Sequence, residues 1–270
     1  MLKRVLTALV LAPAALAAIW FLPTGGVALL FALVIGLGAL EWARLIGLGR
    51  GPSGVYLAGL LVLLLLSWLL YRAGPRLEYL FLPALLWWLA TLALLARFAG
   101  GRALLSLPLE ALMGYLVLGY AWLALVALHG LESGPYFFTL LLILVWGADT
   151  GAYLVGRRFG RRKLAPRISP GKTWEGVAGG LVFALGGALL VHATLGPGWP
   201  ALPQLLAVAL PTVLFSIVGD LFESMIKRQH GAKDSGNLLP GHGGVLDRID
   251  SLTAAAPIFL LCLSWLQAVQ

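Results

Sequence analysis

Long apolar runs dominate the chain, and short polar or turn-rich segments separate them. The runs are nearly continuous in Leu, Ala, Val and aromatic residues, and they do not alternate between apolar and polar positions. Because a bilayer core of about 30 Å takes roughly 17–25 apolar residues per helix, runs of this length predict membrane-spanning helices. A membrane β-barrel would show alternation, so the pattern argues against one.

The apolar runs predict an all-α, polytopic membrane protein with nine spans. Composition agrees, since 60% of the residues are hydrophobic and only 11% are charged. The first run follows Lys3 and Arg4 and leads directly into the second, which favours a retained span over a cleaved signal peptide. The predicted spans are residues 5–22, 25–46, 55–71, 79–97, 109–129, 136–155, 175–195, 202–223 and 252–268.

Charge predicts how these spans are oriented. With nine spans the loops alternate sides, and 17 of the 19 Lys and Arg residues fall on one side, leaving only Arg72 and Arg76 on the other. Positively charged loops stay in the cytoplasm, so the amino terminus is expected inside and the protein in the inner, or plasma, membrane. The net charge of +8 then attracts anionic head groups and polyphosphates. No nucleic-acid-binding motif is present in the sequence, so nucleic acid is not an expected partner.

Polar chemistry is concentrated in the second half of the chain. Residues 1–131 are expected to form a hydrophobic transmembrane scaffold, and residues 132–270 a transmembrane catalytic region. Two cytoplasmic loops, 156–174 and 227–249, carry most of the polar residues of that region. Substrates are therefore expected to be handled at the membrane surface.

Asp149 lies inside the sixth predicted span. A carboxylate within a span is costly and usually faces a cavity or a partner, although a structural ion pair with a loop arginine is an open alternative. Gly147 and Gly151 flank it and would allow close helix packing or close approach of a ligand.

The segment Ser169–Gly176 brings a lysine, hydroxyls and the start of a helix together. Lys172 at such a position suits a phosphate group. The order resembles a Walker loop, but that pattern needs a glycine where Pro166 stands and a preceding strand, so we reject a Walker site. Glu175 falls in the first helical turn, where it is a candidate metal ligand or a partner for the helix dipole.

The eighth span ends in a polar ladder. Asp220, Glu223, Ser224 and Lys227 stand at i, i+3, i+4 and i+7 and share one helix face. Such a face suits a metal ion and a phosphate, and the alternative is an amphipathic helix end at the water interface. Asp220 lies further into the apolar run than an interface charge requires.

A glycine-rich loop and the start of the ninth span follow this ladder. Lys233 and His242 lie in the loop, where His242 is either a phosphate donor or base, or an ordinary turn residue. Asp247 and Asp250 open the ninth span on the same face as Ser251. The acids of the two span ends are hard oxygen ligands, which suit Mg²⁺. No Cys/His cluster suitable for zinc is present in the sequence.

These residues resemble the phosphatidate cytidylyltransferase, or CDP-diacylglycerol synthase, family. The family signature runs without a departure from Ser224 through Asp250, and the segments Asp149–Tyr153 and Ser169–Gly176 also match it. The resemblance is strong over residues 136–251, whereas the first half matches only as generic spans.

The resemblance implies an enzyme that joins CTP to phosphatidate, giving CDP-diacylglycerol and pyrophosphate with Mg²⁺, and a second cation is an open possibility. It also implies a multi-span homodimer with a cytoplasm-facing cavity. Which groups contact CTP and which contact phosphatidate stays open. The candidate catalytic residues are Asp220, Asp247, Lys227 and Arg228; the candidate substrate-binding residues are Lys172, Ser224, Lys233, His242 and Arg248; and the candidate metal ligands are Asp220 and Asp247, with Asp149, Glu175 and Asp250 as further candidates.

Three other classes of protein compete with this interpretation. A related CTP-using lipid enzyme, such as a dolichol kinase, is disfavoured by the complete signature. A secondary transporter with Asp149 and Asp220 as ion sites would need matching polar residues in the first half, which offers almost none. A purely structural membrane protein would not explain so many acids, bases and glycines in one loop.

Overall fold

The computed structural model describes residues 2–74, 76–101, 105–195, 201–238 and 243–268. Within those residues the chain forms nine α-helices and one two-stranded antiparallel hairpin. The elements are α1 (Leu2–Phe21), α2 (Thr24–Leu45), α3 (Arg50–Arg72), α4 (Leu77–Ala99), α5 (Leu107–His129), α6 (Gly134–Phe159), β1 (Lys163–Ala165), β2 (Ser169–Thr173), α7 (Trp174–Leu195), α8 (Leu202–Gln229) and α9 (Leu246–Ala268).

The predicted all-α polytopic fold is confirmed. Among the described residues, the eight helices α2 to α9 are long and apolar enough to cross a membrane. In α1 the described side chains begin at Leu9 and cover only Leu9–Phe21 of the apolar run, so its role as a ninth span stays a prediction. The division of the chain at residue 131 also stays a prediction.

Several helices extend beyond the apolar runs that predicted them. α8 continues to Gln229 instead of ending near residue 223, and α9 begins at Leu246 instead of residue 252. Hydropathy marks where the apolar residues end, whereas the helical backbone continues through polar residues such as Glu223, Lys227 and Arg228, which are good helix formers. The polar residues at the end of α8 and at the start of α9 therefore lie on regular helix, which fixes the spacing of their side chains.

The loop between α6 and α7 contains the hairpin, which the sequence did not predict. Lys163 pairs with Thr173 and Ala165 with Ser169, and the Trp174 N–H donates to the Arg162 carbonyl at 2.9 Å. Our expectation that no strand precedes Pro166 is therefore wrong, since β1 ends one residue before it. A two-stranded hairpin is marginal on its own, so contacts with the helices must stabilise it. The rejection of a Walker loop now rests on Pro166.

Glycines bring α6 against α7. A Cβ atom at Gly151 would lie 2.5 Å from the Gly179 carbonyl oxygen, and one at Gly147 would lie 3.3 Å from the Ala184 Cα. Close helix packing at Gly147 and Gly151, one of the two roles considered from the sequence, is thus confirmed. Asp149 lies two residues from each glycine, and therefore on the other side of α6.

One end of the helix bundle collects the polar segments, and we refer to it as the site end. There the side-chain amide of Gln229, at the end of α8, donates to the Leu105 carbonyl at 3.2 Å, just before α5. Arg167 of the hairpin donates to the carbonyl of Ala99, the last residue of α4, at 3.0 Å. The ends of α4 and α8 and the start of α5 therefore meet the hairpin on this side.

Candidate active site

Asp220 and Lys172 meet at the centre of the site end. The Lys172 Nζ on β2 lies 2.6 Å from Asp220 Oδ2 on α8, and both side chains are about one-quarter exposed. The Ser224 hydroxyl, one turn further along α8, donates to Asp220 Oδ1 at 3.3 Å. The hairpin thus places the Lys172 ammonium beside the polar face of α8. The segment Ser169–Gly176 and the end of the eighth span, which were considered separately in the sequence, therefore form one site.

Lys227 ties α8 to α9 through two carboxylates. Its Nζ donates to Glu223 Oε1 at 3.0 Å and to Asp247 Oδ1 at 2.7 Å. All three side chains are less than 10% exposed. Removing charges from water is costly, so such a buried cluster persists only when its hydrogen bonds are well made.

Asp247 organises the loop before α9. Its Oδ2 accepts hydrogen bonds from the Ser235 N–H at 2.9 Å, the Ser235 hydroxyl at 3.0 Å and the Gly244 N–H at 2.8 Å. Oδ1 accepts only the Lys227 ammonium, so three donors gather on Oδ2 and one on Oδ1. Gly243 has a φ of +81°, which favours glycine, and a Cβ there would lie 2.6 Å from Asp247 Oδ2. Metal binding by Asp247 stays a prediction, and Oδ1, which has a single donor, is the oxygen open to it.

Asp149 and Asp250 complete the acidic cluster from α6 and α9. Asp250 is close enough to Asp220, Glu223 and Asp149 for their negative charges to repel its own. The side chain of Asp149 is exposed, and among the described residues it has no ion pair within 4.0 Å. The alternative of a structural ion pair with a loop arginine therefore finds no support in that part of the chain. The Ser251 hydroxyl on α9 donates to Asp149 Oδ1 at 3.5 Å, and a cavity beside Asp149 stays a prediction.

Glu175 anchors the hairpin. Its Oε2 accepts the Arg161 N–H at 3.0 Å, and both carboxylate oxygens lie 3.2 Å from the Arg162 nitrogen. A carboxylate held by two successive backbone N–H groups fixes the turn between α6 and β1. Metal binding by Glu175 stays a prediction, and the structure gives this residue a different set of partners.

The remaining candidate cations lie at the rim of the site. Arg228 is exposed and holds the hairpin tip, since its Nε donates to the Ile168 carbonyl at 3.2 Å. Lys233 is exposed and has no hydrogen-bond or ion-pair partner among the described residues. Arg248 is exposed and near enough to attract the charge of Asp149. His242 lies outside the described residues.

The cluster has an excess of negative charge. Five carboxylates, from Asp149, Asp220, Glu223, Asp247 and Asp250, face three cationic side chains, from Lys172, Lys227 and Arg248. A divalent cation would offset the difference, and hard oxygen donors suit Mg²⁺. Within the described part of the chain, however, no three acidic, His or Cys side chains are grouped as a metal-binding site. The donor chemistry therefore fits Mg²⁺, provided that the Lys172 ammonium moves off Asp220.

Two buried acids of the first half were missed in the sequence analysis. Glu41 on α2, 4% exposed, contacts the loop that carries Ser235. Glu110 on α5, 1% exposed, contacts Gln229, and its two carboxylate oxygens each lie 3.0 Å from His230 Nε2. Both acids lie near the end of an apolar run, so the signal that pointed to Asp149 and Asp220, an acid deep inside such a run, did not point to them.

Comparisons with known proteins extend the similarity over the whole chain. A sequence model described as "Cytidylyltransferase family" matches residues 2–266. The phosphatidate cytidylyltransferase of Pseudomonas aeruginosa is 47% identical over 263 residues, which cover 95% of this chain and 94% of that protein. The phosphatidate cytidylyltransferase of Haemophilus influenzae is 40% identical over 280 residues, covering 95% and 96%. The similarity therefore includes the first half, which the motifs alone matched only as generic spans.

Proposed function

The chain belongs to the cytidylyltransferase family, and from that membership we propose that it transfers the cytidylyl group of CTP to phosphatidate, giving CDP-diacylglycerol and pyrophosphate for phospholipid biosynthesis. The observation that carries the proposal is the meeting of Lys172 and Lys227 with an acidic cluster at one end of the membrane helices. A lipid phosphate and a nucleotide polyphosphate can both reach such a position, one from the bilayer and the other from water.

The reaction requires cations that offset the negative charge of the two substrates, and it does not require a strong base. An oxygen of the phosphatidate phosphate forms a bond to the α-phosphorus of CTP, and the bond from that phosphorus to the bridging oxygen breaks, releasing pyrophosphate. The attacking phosphate is largely ionised near neutral pH because its second pKa is about 6. The barrier lies in bringing two polyanions together and stabilising the leaving group, which fixed cations can do.

The lysines of the site supply those cations. Lys172 and Lys227 now hold carboxylates, and an incoming phosphate would compete with Asp220 and Glu223 for the two ammonium groups. Ser224 can donate to the same phosphate oxygens from the same helix face. Arg228 binds phosphate in this proposal, Lys233 and Arg248 bind substrate around the rim of the site, and His242 is a further substrate-binding residue.

We propose Mg²⁺ as the cofactor, held by Asp220 and Asp247 with Asp149 and Asp250 as further ligands, and a second cation fits the same acidic excess. When bound, Mg²⁺ would neutralise the polyphosphate and align it for in-line displacement. A metal at Asp220 Oδ2 would replace the Lys172 ammonium, and a metal at Asp247 would bind Oδ1 beside Lys227, because Oδ2 already has three donors.

The membrane placement follows from the charge pattern. We propose that the protein resides in the inner membrane with the site end facing the cytoplasm, since the segments rich in Lys and Arg gather there. The acyl chains of phosphatidate would remain in the bilayer while its head group enters the site. A homodimer is proposed on the family resemblance alone.

Purified protein in detergent, incubated with phosphatidate, Mg²⁺ and CTP, tests the function. Label from α-³²P CTP should enter the lipid fraction and label from γ-³²P CTP should leave as pyrophosphate, because the α-phosphorus is the one that is transferred. EDTA should lower the rate at least about tenfold, and added Mg²⁺ should restore it. Transfer of the γ-label to lipid would identify a kinase instead. A rate insensitive to EDTA would refute the proposal that the reaction needs a metal ion.

Replacing Lys172 by alanine tests the role of the hairpin cation. Lys172→Ala should lower kcat/KM about 10- to 100-fold, because a phosphate contact is lost near the reacting centre. Initial rates at varied CTP and at varied phosphatidate would show which substrate the lysine serves. Lys163→Ala is the matched control, since Lys163 is an exposed lysine of the same hairpin and should leave the rate unchanged. Equal rates for both variants would assign Lys172 to membrane anchoring.

A further inference from the structure

Glu41 is a buried carboxylate whose hydrogen-bond partners, among the described residues, come from the other half of the chain. Its Oε1 accepts the Val245 N–H at 3.0 Å, and its Oε2 accepts the Leu246 N–H at 2.9 Å and the Ser235 hydroxyl at 3.2 Å. These partners lie 194 to 205 residues away in the sequence. The contacts join the end of α2 to the loop and to the start of α9.

The two backbone contacts cap a helix from outside. The first N–H groups of an α-helix have no partner within the helix, and α9 begins at Leu246. A carboxylate is also favoured there by the helix dipole. Glu41 therefore provides for α9 what a capping side chain normally provides from its own chain segment. The next residue of the helix is Asp247.

The loop is shaped to close around this carboxylate. A Cβ atom at Gly236 would lie 2.6 Å from Glu41 Oε1, and a Cβ at Gly244 would overlap both the Glu41 carboxylate and the Ser235 hydroxyl. Larger residues at either position would push the loop away. The two glycines thus permit the approach that the hydrogen bonds require.

Ser235 links Glu41 to the acidic cluster. Its hydroxyl oxygen lies 3.2 Å from Glu41 Oε2 and 3.0 Å from Asp247 Oδ2, and its single proton can be donated to only one of them at a time. Asp247 in turn holds the Lys227 ammonium at 2.7 Å. A continuous series of contacts therefore runs from α2 through the loop to Lys227.

We propose that Glu41 is a positioning residue for the active site: it fixes the start of α9 and the Ser235 loop, and so sets the place of Asp247 and of the Lys227 ammonium. The proposal rests on the proposed function for what those two groups do. It gives the first half of the chain a direct role in the chemistry, in addition to its role as a membrane scaffold.

The test compares Glu41→Gln with the wild type in hydrogen exchange and in kinetics. Glutamine has the same shape, but its amide nitrogen would face a backbone N–H, so one end of the cap is lost. Exchange by mass spectrometry in the peptide containing Val245 and Leu246 should become at least about tenfold faster. With saturating substrates, kcat should fall about 10- to 100-fold while KM for CTP changes much less, because misplacement affects the reacting geometry.

His129→Ala separates positioning from general destabilisation. His129 is another buried polar residue that joins distant helices, with Nε2 at 2.9 Å from the Ile19 carbonyl, but it lies at the opposite end of α5 from the site. Its replacement should lower the melting temperature and leave kcat within about twofold. If Glu41→Gln does not fold, Glu41→Asp replaces it; this variant keeps the charge and shortens the reach, and a smaller loss of the same kind is expected.

Two results would overturn the proposal: unchanged exchange near Val245 in the Glu41 variant, or faster exchange with wild-type kcat and KM. The exchange measurement needs no substrate. A wild-type protein that fails to transfer cytidylyl would therefore refute the proposed function, while the anchoring of α9 by Glu41 would still be decided separately.

Discussion

Asp220→Asn should lower the rate of CDP-diacylglycerol formation by about 10³-fold while the protein still inserts and folds. Asparagine keeps the shape and one acceptor oxygen but removes the charge that holds Lys172 at 2.6 Å. It also removes the carboxylate that is best placed to exchange a lysine for a cation. Both the metal and the hairpin lysine therefore lose their common partner.

The measurement is the initial rate with saturating CTP and phosphatidate, across a range of Mg²⁺ concentrations. A loss of metal affinity predicts that the half-saturating Mg²⁺ concentration rises in the variant. Glu132→Gln is the control for an acid-to-amide change, because Glu132 is exposed in the turn between α5 and α6. A variant rate within a few-fold of wild type would end the assignment of Asp220 to the metal site.

The sequence predicted the parts of the site that depend on local spacing. Asp220, Ser224 and Lys227 share a face because they lie three, four or seven residues apart on one helix, and this holds wherever the helix is placed. The joining of Lys172 to that face could also be anticipated, because a lysine at a helix start and an acidic helix end both suit one phosphate.

The partners of each carboxylate could not be predicted. Asp247 was expected to be free for a metal, yet the loop folds back to give it three donors in addition to Lys227 of α8, and this depends on a left-handed turn at Gly243. Glu175 was read as a metal ligand or dipole partner, whereas it holds an unpredicted hairpin. Such contacts are set by tertiary packing, which hydropathy and local spacing do not predict.

The burial of Glu41 and Glu110 could not be predicted from the sequence either, because it depends on residues far away in the chain. Both acids lie near helix ends, where a charge at the water interface needs no explanation, so their pattern alone does not separate a solvated residue from a buried one. Only the packing of α2 and α5 against the end of α8 and the start of α9 buries them. These two buried acids of the scaffold half thus face the chemistry of the other half.

Lys227→Met should be the variant with the largest combined loss of activity and stability. The ammonium is less than 10% exposed and lies between Glu223 and Asp247, so its removal leaves two buried carboxylates facing each other. Breaking a buried ion pair by removing one partner costs about 3–5 kcal/mol. The phosphate contact is lost as well, so we expect activity to fall about 10³-fold together with a lower melting temperature.

A second substitution separates the two losses. In Lys227→Met/Glu223→Gln one of the stranded charges is neutralised, while Asp247 keeps its Ser235 and Gly244 donors. Melting in detergent should then recover at least half of the lost stability, because the repulsion between the two carboxylates is gone. Activity should stay near the level of the single variant, since no cation has been returned to the phosphates. Recovery of activity along with stability would instead mean that Lys227 only balances charge, and that the substrate phosphates are bound by Lys172 and the rim arginines.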